Sequence, residues 1–172
     1  MSICFENGAE FASAMEKEVR ELSLIMTEKG AFAAAAESLT GGLIASEIVG
    51  VPGVSKWFRE CAVTYTDEAK IRRLGVSAKL IEEHTAVSRP VARLMAEGEL
   101  KAADADIAVS ATGLAGPGKD ELGRDAGLVF IGGATRNGSV TRELRLAGSR
   151  LAIRRATAYE AVKLMKALAK LI

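Results

Sequence analysis

Segments with helical periodicity alternate along this chain with short apolar runs, and that alternation constrains the fold more than any other feature. Phe11, Met15, Val19, Leu22 and Met26 recur at helical spacing, which predicts an amphipathic helix over about 7–29, stopped by Gly30. Residues 31–36 read as a short buried strand, although so much alanine leaves the assignment ambiguous. Residues 39–49 read as a helix broken by Val51-Pro52-Gly53. CAVTY at 61–65 is strand-like, and Asp67 is placed to cap the helix that begins EAKIRRL. Another helix follows Ser88, with Pro90 in its first turn. IAVSAT at 107–112 is a buried strand that runs into GLAGPG. GLVFIGGA and VTRELRLA flank RNGS at 136–139, a hairpin signal. Ser149 then caps a last helix with Ile153, Ala156, Val162, Met165 and Leu168 on its apolar side. Helices alternating with strands, plus one hairpin, predict an α/β fold: a three-layer α/β/α single domain with a mixed β-sheet.

A length of 172 residues suits one such domain over 1–172, with 1–10 as a loosely ordered N-terminal segment. The formal net charge of +1 gives no bulk field for nucleic acid or an anionic membrane. No apolar run is long enough to cross a bilayer, and no basic segment followed by a hydrophobic one opens the chain, so the cytoplasm is the expected address. Cys4 and Cys61 follow no metal spacing and read as reduced thiols. His84 is the sole histidine, which leaves little for a zinc site and only one residue for a histidine-based triad.

Chemistry could sit at three junctions, each of which also has an ordinary structural explanation. In AAAAESLTGGLIA, Ser38 stands between a strand and a helix, where unpaired N–H groups could hold an oxyanion or phosphate. A plain serine N-cap explains the same residues. In AVTYTDEAK, Tyr65 leaves a strand end and Lys70 follows in the start of a helix. A lysine there is disfavoured as a cation, so a neutral amine could take a proton from serine. A solvated lysine flanked by Asp67 and Glu68 is the ordinary alternative. In VSATGLAGPG, Thr112 precedes a glycine-rich loop that suits an anion or a carboxamide oxygen, or is only a turn. Arg150 and Arg154, at the start of the last helix, suit phosphate through their planar forks, although solvated arginines on a surface helix are the commoner case.

AESLTGG, the VPG turn, VTYTDEAK, LGV at 74–76, AVS at 86–88, TGLAGPG and SRLAIRR stand in an order and spacing that resemble the CinA C-terminal domain family. Its standalone members are nicotinamide-nucleotide amidases of the PncC type. The resemblance runs from about Phe11 to the C-terminus, and the ordered set is specific although each motif alone is weak. It implies a small-molecule substrate, a pyridine nucleotide, with hydrolysis of the carboxamide of nicotinamide mononucleotide to nicotinate mononucleotide and ammonia. By position, Ser38 matches the nucleophile, Lys70 its base and Tyr65 a residue that positions groups or relays protons. Thr112 and Gly113, with Gly116, match the second loop; Thr40, Gly41 and Gly42 match the first; Arg150 matches a basic residue near the ligand. No metal and no cofactor are implied, and no nucleic-acid or membrane partner; a homodimer is the assembly considered.

Three places depart from the family pattern. Glu60-Cys61 stands where a Gly pair is usual, HTAVS replaces HGAVS, and Arg124-Asp125-Ala126 replaces Lys-Pro-Val. The altered loop keeps a second reading open: a nucleotide-binding or regulatory module of the same fold, or an amidase for another carboxamide.

Overall fold

The structure, a computed structural model, describes residues 4–172. Its element order is α1 (Gly8–Lys29), β1 (Ala33–Glu37), α2 (Leu43–Val49), β2 (Phe58–Val63), α3 (Asp67–Leu74), α4 (Ala78–His84), α5 (Arg89–Ala102), β3 (Ile107–Gly113), β4 (Leu128–Thr135), β5 (Gly138–Arg145) and α6 (Arg150–Ala169). A single 3-10 turn, Val54–Lys56, precedes β2.

The first helix shows why these segments fold as they do. Asn7 caps it by accepting the Ala9 and Glu10 N–H groups, and Gly30 ends it at φ 62°, a left-handed turn that glycine takes without strain. The five apolar residues at helical spacing are all buried between those ends. Among the described residues of the 1–10 segment, those just before α1 are packed. Phe5 is buried against Phe11 and Tyr159, and Glu6 accepts from the Ser149 N–H and hydroxyl. Residues 1–3 lie outside the described residues.

The strands form one mixed sheet in the order β2-β1-β3-β4-β5. β1 runs parallel to β2 and β3, while β3–β4 and β4–β5 are antiparallel, the last pair being the hairpin turned at Arg136-Asn137. Helices α1, α2 and α6 pack together on one face and α3, α4 and α5 on the other, so the three-layer architecture is present. The Gly132-Gly133 pair in β4 lets both layers close in. A Cβ on Gly132 would come 2.3 Å from the Ala92 carbonyl oxygen of α5, and one on Gly133 would come 2.7 Å from Leu168 of α6. Several boundaries differ from expectation. β2 spans Phe58–Val63 where CAVTY at 61–65 was expected, so Tyr65 lies beyond the strand end, and β5 starts two residues earlier than VTRELRLA suggests. Thr66 rather than Asp67 caps α3, through the Ala69 N–H at 3.2 Å. Helix α2 begins at Leu43, four residues later than the apolar pattern predicts.

Glu99 of α5 has no exposed surface, and its carboxylate oxygens have no well-formed hydrogen bond, the Ala62 backbone giving only a weak contact. Burial, reinforced by the Glu60 carboxylate and opposed by the Ala62 backbone and Arg73, pushes its carboxyl up to about 7. An unfolded glutamate titrates near ~4.3, so between those values the folded chain holds a proton that the unfolded chain has lost. This contribution to stability therefore declines as pH rises from about 5 to about 7. Glu99→Gln is expected to unfold at a higher temperature than the wild type at pH 8 and at a similar one at pH 5. Thermal unfolding at the two values checks this, and equal midpoints at both would refute it.

Candidate active site

The parallel strands β1, β2 and β3 deliver their C-terminal ends to one edge of the sheet, where α/β folds build sites. Ser38 follows β1 directly and is tied to β3 by its N–H, which donates to the Ala111 carbonyl at 3.0 Å. The chain then turns through Gly41 and Gly42 at φ 59° and 92° before α2 starts. The open N–H groups of that helix are answered by Glu37. Its buried carboxylate accepts from Gly42 at 2.8 Å, Ile44 at 3.2 Å and Ala45 at 2.9 Å, and from the Cys61 thiol at 3.2 Å. Ser38 is therefore not a helix cap, and its hydroxyl is not spent on the backbone. Sequence reasoning missed Glu37 because its carboxylate reaches N–H groups five to eight residues ahead, across a turn, a spacing that no capping motif has.

Lys70 lies in α3 and is only 1% exposed, so it is not the solvated lysine of a helix face. Its Nζ donates to the Thr64 carbonyl at 3.0 Å and lies 3.3 Å from Ser38 Oγ. Asp67 Oδ1 sits 4.0 Å away. Burial holds the amine below the ordinary lysine range, with Asp67 and Glu68 opposing that shift. A buried amine beside a hydroxyl is the arrangement a serine–lysine pair requires.

A cleft of 240 Å³ opens over this pair, with Thr112, Gly113, Ala86 and Val87 in its walls. Thr112 is buried, and its hydroxyl donates to the Ala86 carbonyl at 2.9 Å, which fixes that wall. Tyr65, 61% exposed, stands at the mouth, where its hydroxyl accepts from Arg150 Nη2 at 3.4 Å. Arg150 also donates to the Gly116 carbonyl and so closes the glycine-rich loop onto the start of α6. An adjoining hollow of 270 Å³ is lined by Gly116, Pro117, Gly118, Lys119 and Arg150. Thus Ser38, Lys70, Tyr65, Thr112, Gly113, Gly116 and Arg150 come together. Thr40, Gly41 and Gly42 do not line either hollow. They form the turn behind Ser38, where Arg154 donates to the Leu39 carbonyl at 3.1 Å and the Thr40 carbonyl at 2.6 Å. A roomier hollow of 470 Å³ lies by the opposite ends of β1 and β3, but its Arg136 is paired with Asp104 and Asp106 and it holds no nucleophile.

Among the described residues, no helix is long and apolar enough to cross a membrane, and no group of three or more His, Cys, Asp or Glu could hold a metal ion. His84 ends α4 in the open and takes no part in the cleft.

The chain resembles solved structures over about nine-tenths of its length. It superposes on the competence/damage inducible protein CihA of Agrobacterium tumefaciens with a TM-score of 0.87 at 37% identity, covering 90% of this chain and 95% of that one. A CinA superfamily protein of Escherichia coli gives a TM-score of 0.85 at 31% identity, covering 91% and 90%. A Caldicellulosiruptor bescii protein, provisionally named competence-damage inducible protein, is 39% identical over 163 residues. That match covers 94% of this chain but 40% of the relative, so the chain spans about two-fifths of the relative's length. The family model described as CinA C-terminal domain matches residues 14–169. The chain belongs to the CinA C-terminal domain family.

Proposed function

We propose that the chain is a metal-independent amidase that hydrolyses the carboxamide of nicotinamide mononucleotide. The observation that carries this reading is the buried Lys70 amine 3.3 Å from the Ser38 hydroxyl, at the floor of a cleft on the C-terminal edge of the parallel strands. The substrate comes from the family resemblance. The pyridine ring enters above Ser38, and the ribose phosphate lies in the adjoining hollow beside Arg150.

An amide is a poor electrophile and needs both an activated nucleophile and donors for the developing oxyanion. Neutral Lys70 accepts the Ser38 proton as Oγ attacks the carboxamide carbon. The Leu39 N–H lies next to Ser38, in the turn that Glu37 and Arg154 fix, and makes no hydrogen bond among the described residues. It supplies one donor to the oxyanion. Lys70 then gives the proton to the leaving nitrogen, ammonia departs and an ester remains on Ser38. Water attacks that ester as Lys70 takes its proton, and Lys70 returns the proton to Ser38 Oγ as nicotinate mononucleotide leaves.

Purified protein incubated with nicotinamide mononucleotide is expected to release ammonia and nicotinate mononucleotide in equal amounts. Free nicotinamide and asparagine, which lack the ribose phosphate, should be turned over poorly. Ligand-induced thermal stabilisation without ammonia release would favour the regulatory-module reading instead.

A further inference from the structure

The 119–126 loop, where the sequence departs most from its family pattern, closes on itself and then on the cleft. Arg124 Nε and Nη2 both reach Asp120 Oδ2 at 2.7 Å, and Asp120 Oδ1 accepts the N–H groups of Leu122 at 3.1 Å and Arg124 at 2.8 Å. The loop ends are joined by Lys119 and Asp125 at 2.8 Å and by the Ala126 N–H to the Gly118 carbonyl at 3.1 Å. With its other nitrogens committed to its own loop, the guanidinium points Nη1 at a different segment. Nη1 donates to the Val87 carbonyl at 2.9 Å and to Thr85 Oγ1 at 3.1 Å.

That second segment is the wall of the cleft, since Ala86 and Val87 line it together with Ser38 and Lys70. Thr85, where HTAVS departs from the family pattern, has φ 64° and ψ 162°, a conformation that L side chains rarely adopt and that persists only where the surroundings impose it. Two tethers hold the wall from within: Thr112 Oγ1 to the Ala86 carbonyl at 2.9 Å, and Ser88 Oγ to the Thr85 carbonyl at 2.9 Å. Arg124 supplies the third, from outside. An exposed lysine–carboxylate pair would contribute little. A planar guanidinium with its donors divided between a carboxylate and two acceptors on another segment fixes one geometry.

We propose that Arg124, held by Asp120, is a positioning residue that sets the Ala86–Val87 wall of the Ser38 cleft and thereby the grip on the substrate's ring. This rests on the amidase reading above. The hydrogen bonds from Arg124 hold the Asp120 carboxyl below its usual range, so the clamp is intact at neutral pH.

The test uses the full chain as Arg124→Gln, Arg124→Lys and Asp120→Asn, read by steady-state kinetics on nicotinamide mononucleotide and by amide hydrogen exchange of peptides covering 84–88. Arg124→Gln is expected to raise KM about tenfold while kcat stays within about threefold, because the wall binds ground state and transition state alike. Exchange in 84–88 should accelerate, Asp120→Asn should follow in the same direction, and Arg124→Lys should recover part of the loss. An unchanged KM in Arg124→Gln, a fall in kcat alone, or unchanged exchange in 84–88 would overturn the assignment. A wild-type chain without turnover of the nucleotide would refute the amidase reading. The clamp is then judged by exchange alone, where faster exchange in Arg124→Gln supports it and unchanged exchange overturns it.

Discussion

Ser38→Ala is expected to lower ammonia release from nicotinamide mononucleotide by about 10⁴-fold or more, the scale on which loss of an activated serine acts in enzymes of this type. The protein should nevertheless stay folded. The hydroxyl caps no helix, because Glu37 answers the start of α2, and the Ser38 N–H to Ala111 is a backbone bond that alanine keeps. Only the contact with Lys70 disappears, so the change in stability should be on the order of 1 kcal/mol, or about 2–4 °C in Tm for a chain of this size. Inactivity with an intact fold and retained nucleotide binding identifies a chemical role for the hydroxyl. Full activity in Ser38→Ala would remove Ser38 as the nucleophile.

Lys70→Met should separate activity from stability in the opposite sense. Loss of the base is expected to reduce kcat/KM by about 10²–10⁴-fold. The same substitution replaces a buried amine by an apolar side chain of similar length, and the folded protein should become more stable. The pH dependence follows from the direction of the shift. The folded pKa lies below the usual lysine value, so between the two the unfolded chain binds more protons and wild-type stability rises with pH. Below that window the full cost of burying the amine is present. Lys70→Met should therefore gain most at pH 7 and least near pH 10, which thermal unfolding at both values measures. In the wild type, kcat/KM should climb with pH as the amine loses its proton, with the ionisation below the ordinary lysine range. A Lys70→Met protein that is both active and less stable would contradict the role given to the amine.

The strands and the long helices were legible because their signals are local. Five apolar residues at helical spacing mark α1, a short run of small and branched residues ahead of a glycine-rich loop marks β3, and RNGS between two strand-like runs marks the β4–β5 hairpin. Helix α4 was not read, since only Ile81 of its seven residues is buried and it leaves almost no periodicity. The start of α2 was misplaced because the device that delays the helix, the Glu37 carboxylate reaching forward to the Gly42, Ile44 and Ala45 N–H groups, follows no capping motif. The site was legible in part. Ser38, Tyr65, Lys70 and Thr112 were picked out at predicted strand ends, and the family pattern joined them. Burial of Lys70 could not be read from TDEAKIRR, whose neighbouring charges describe an exposed helix face. What buries it is the pairing of β1 with β2 and the packing of α3 on α5, contacts between distant segments. The Arg124 clamp is likewise invisible in sequence, because its acceptors lie 37 and 39 residues away.

Capture of the acyl group most directly tests a Ser38 ester formed with the help of Lys70. Hydroxylamine added to the reaction competes with water for that ester, giving the hydroxamate of nicotinate mononucleotide and free serine, with ammonia released in the preceding step. Wild-type protein is expected to form hydroxamate in proportion to the hydroxylamine present, while Ser38→Ala forms none. Turnover of nicotinamide mononucleotide by the wild type without hydroxamate, or equal hydroxamate from Ser38→Ala, would contradict a covalent intermediate on Ser38.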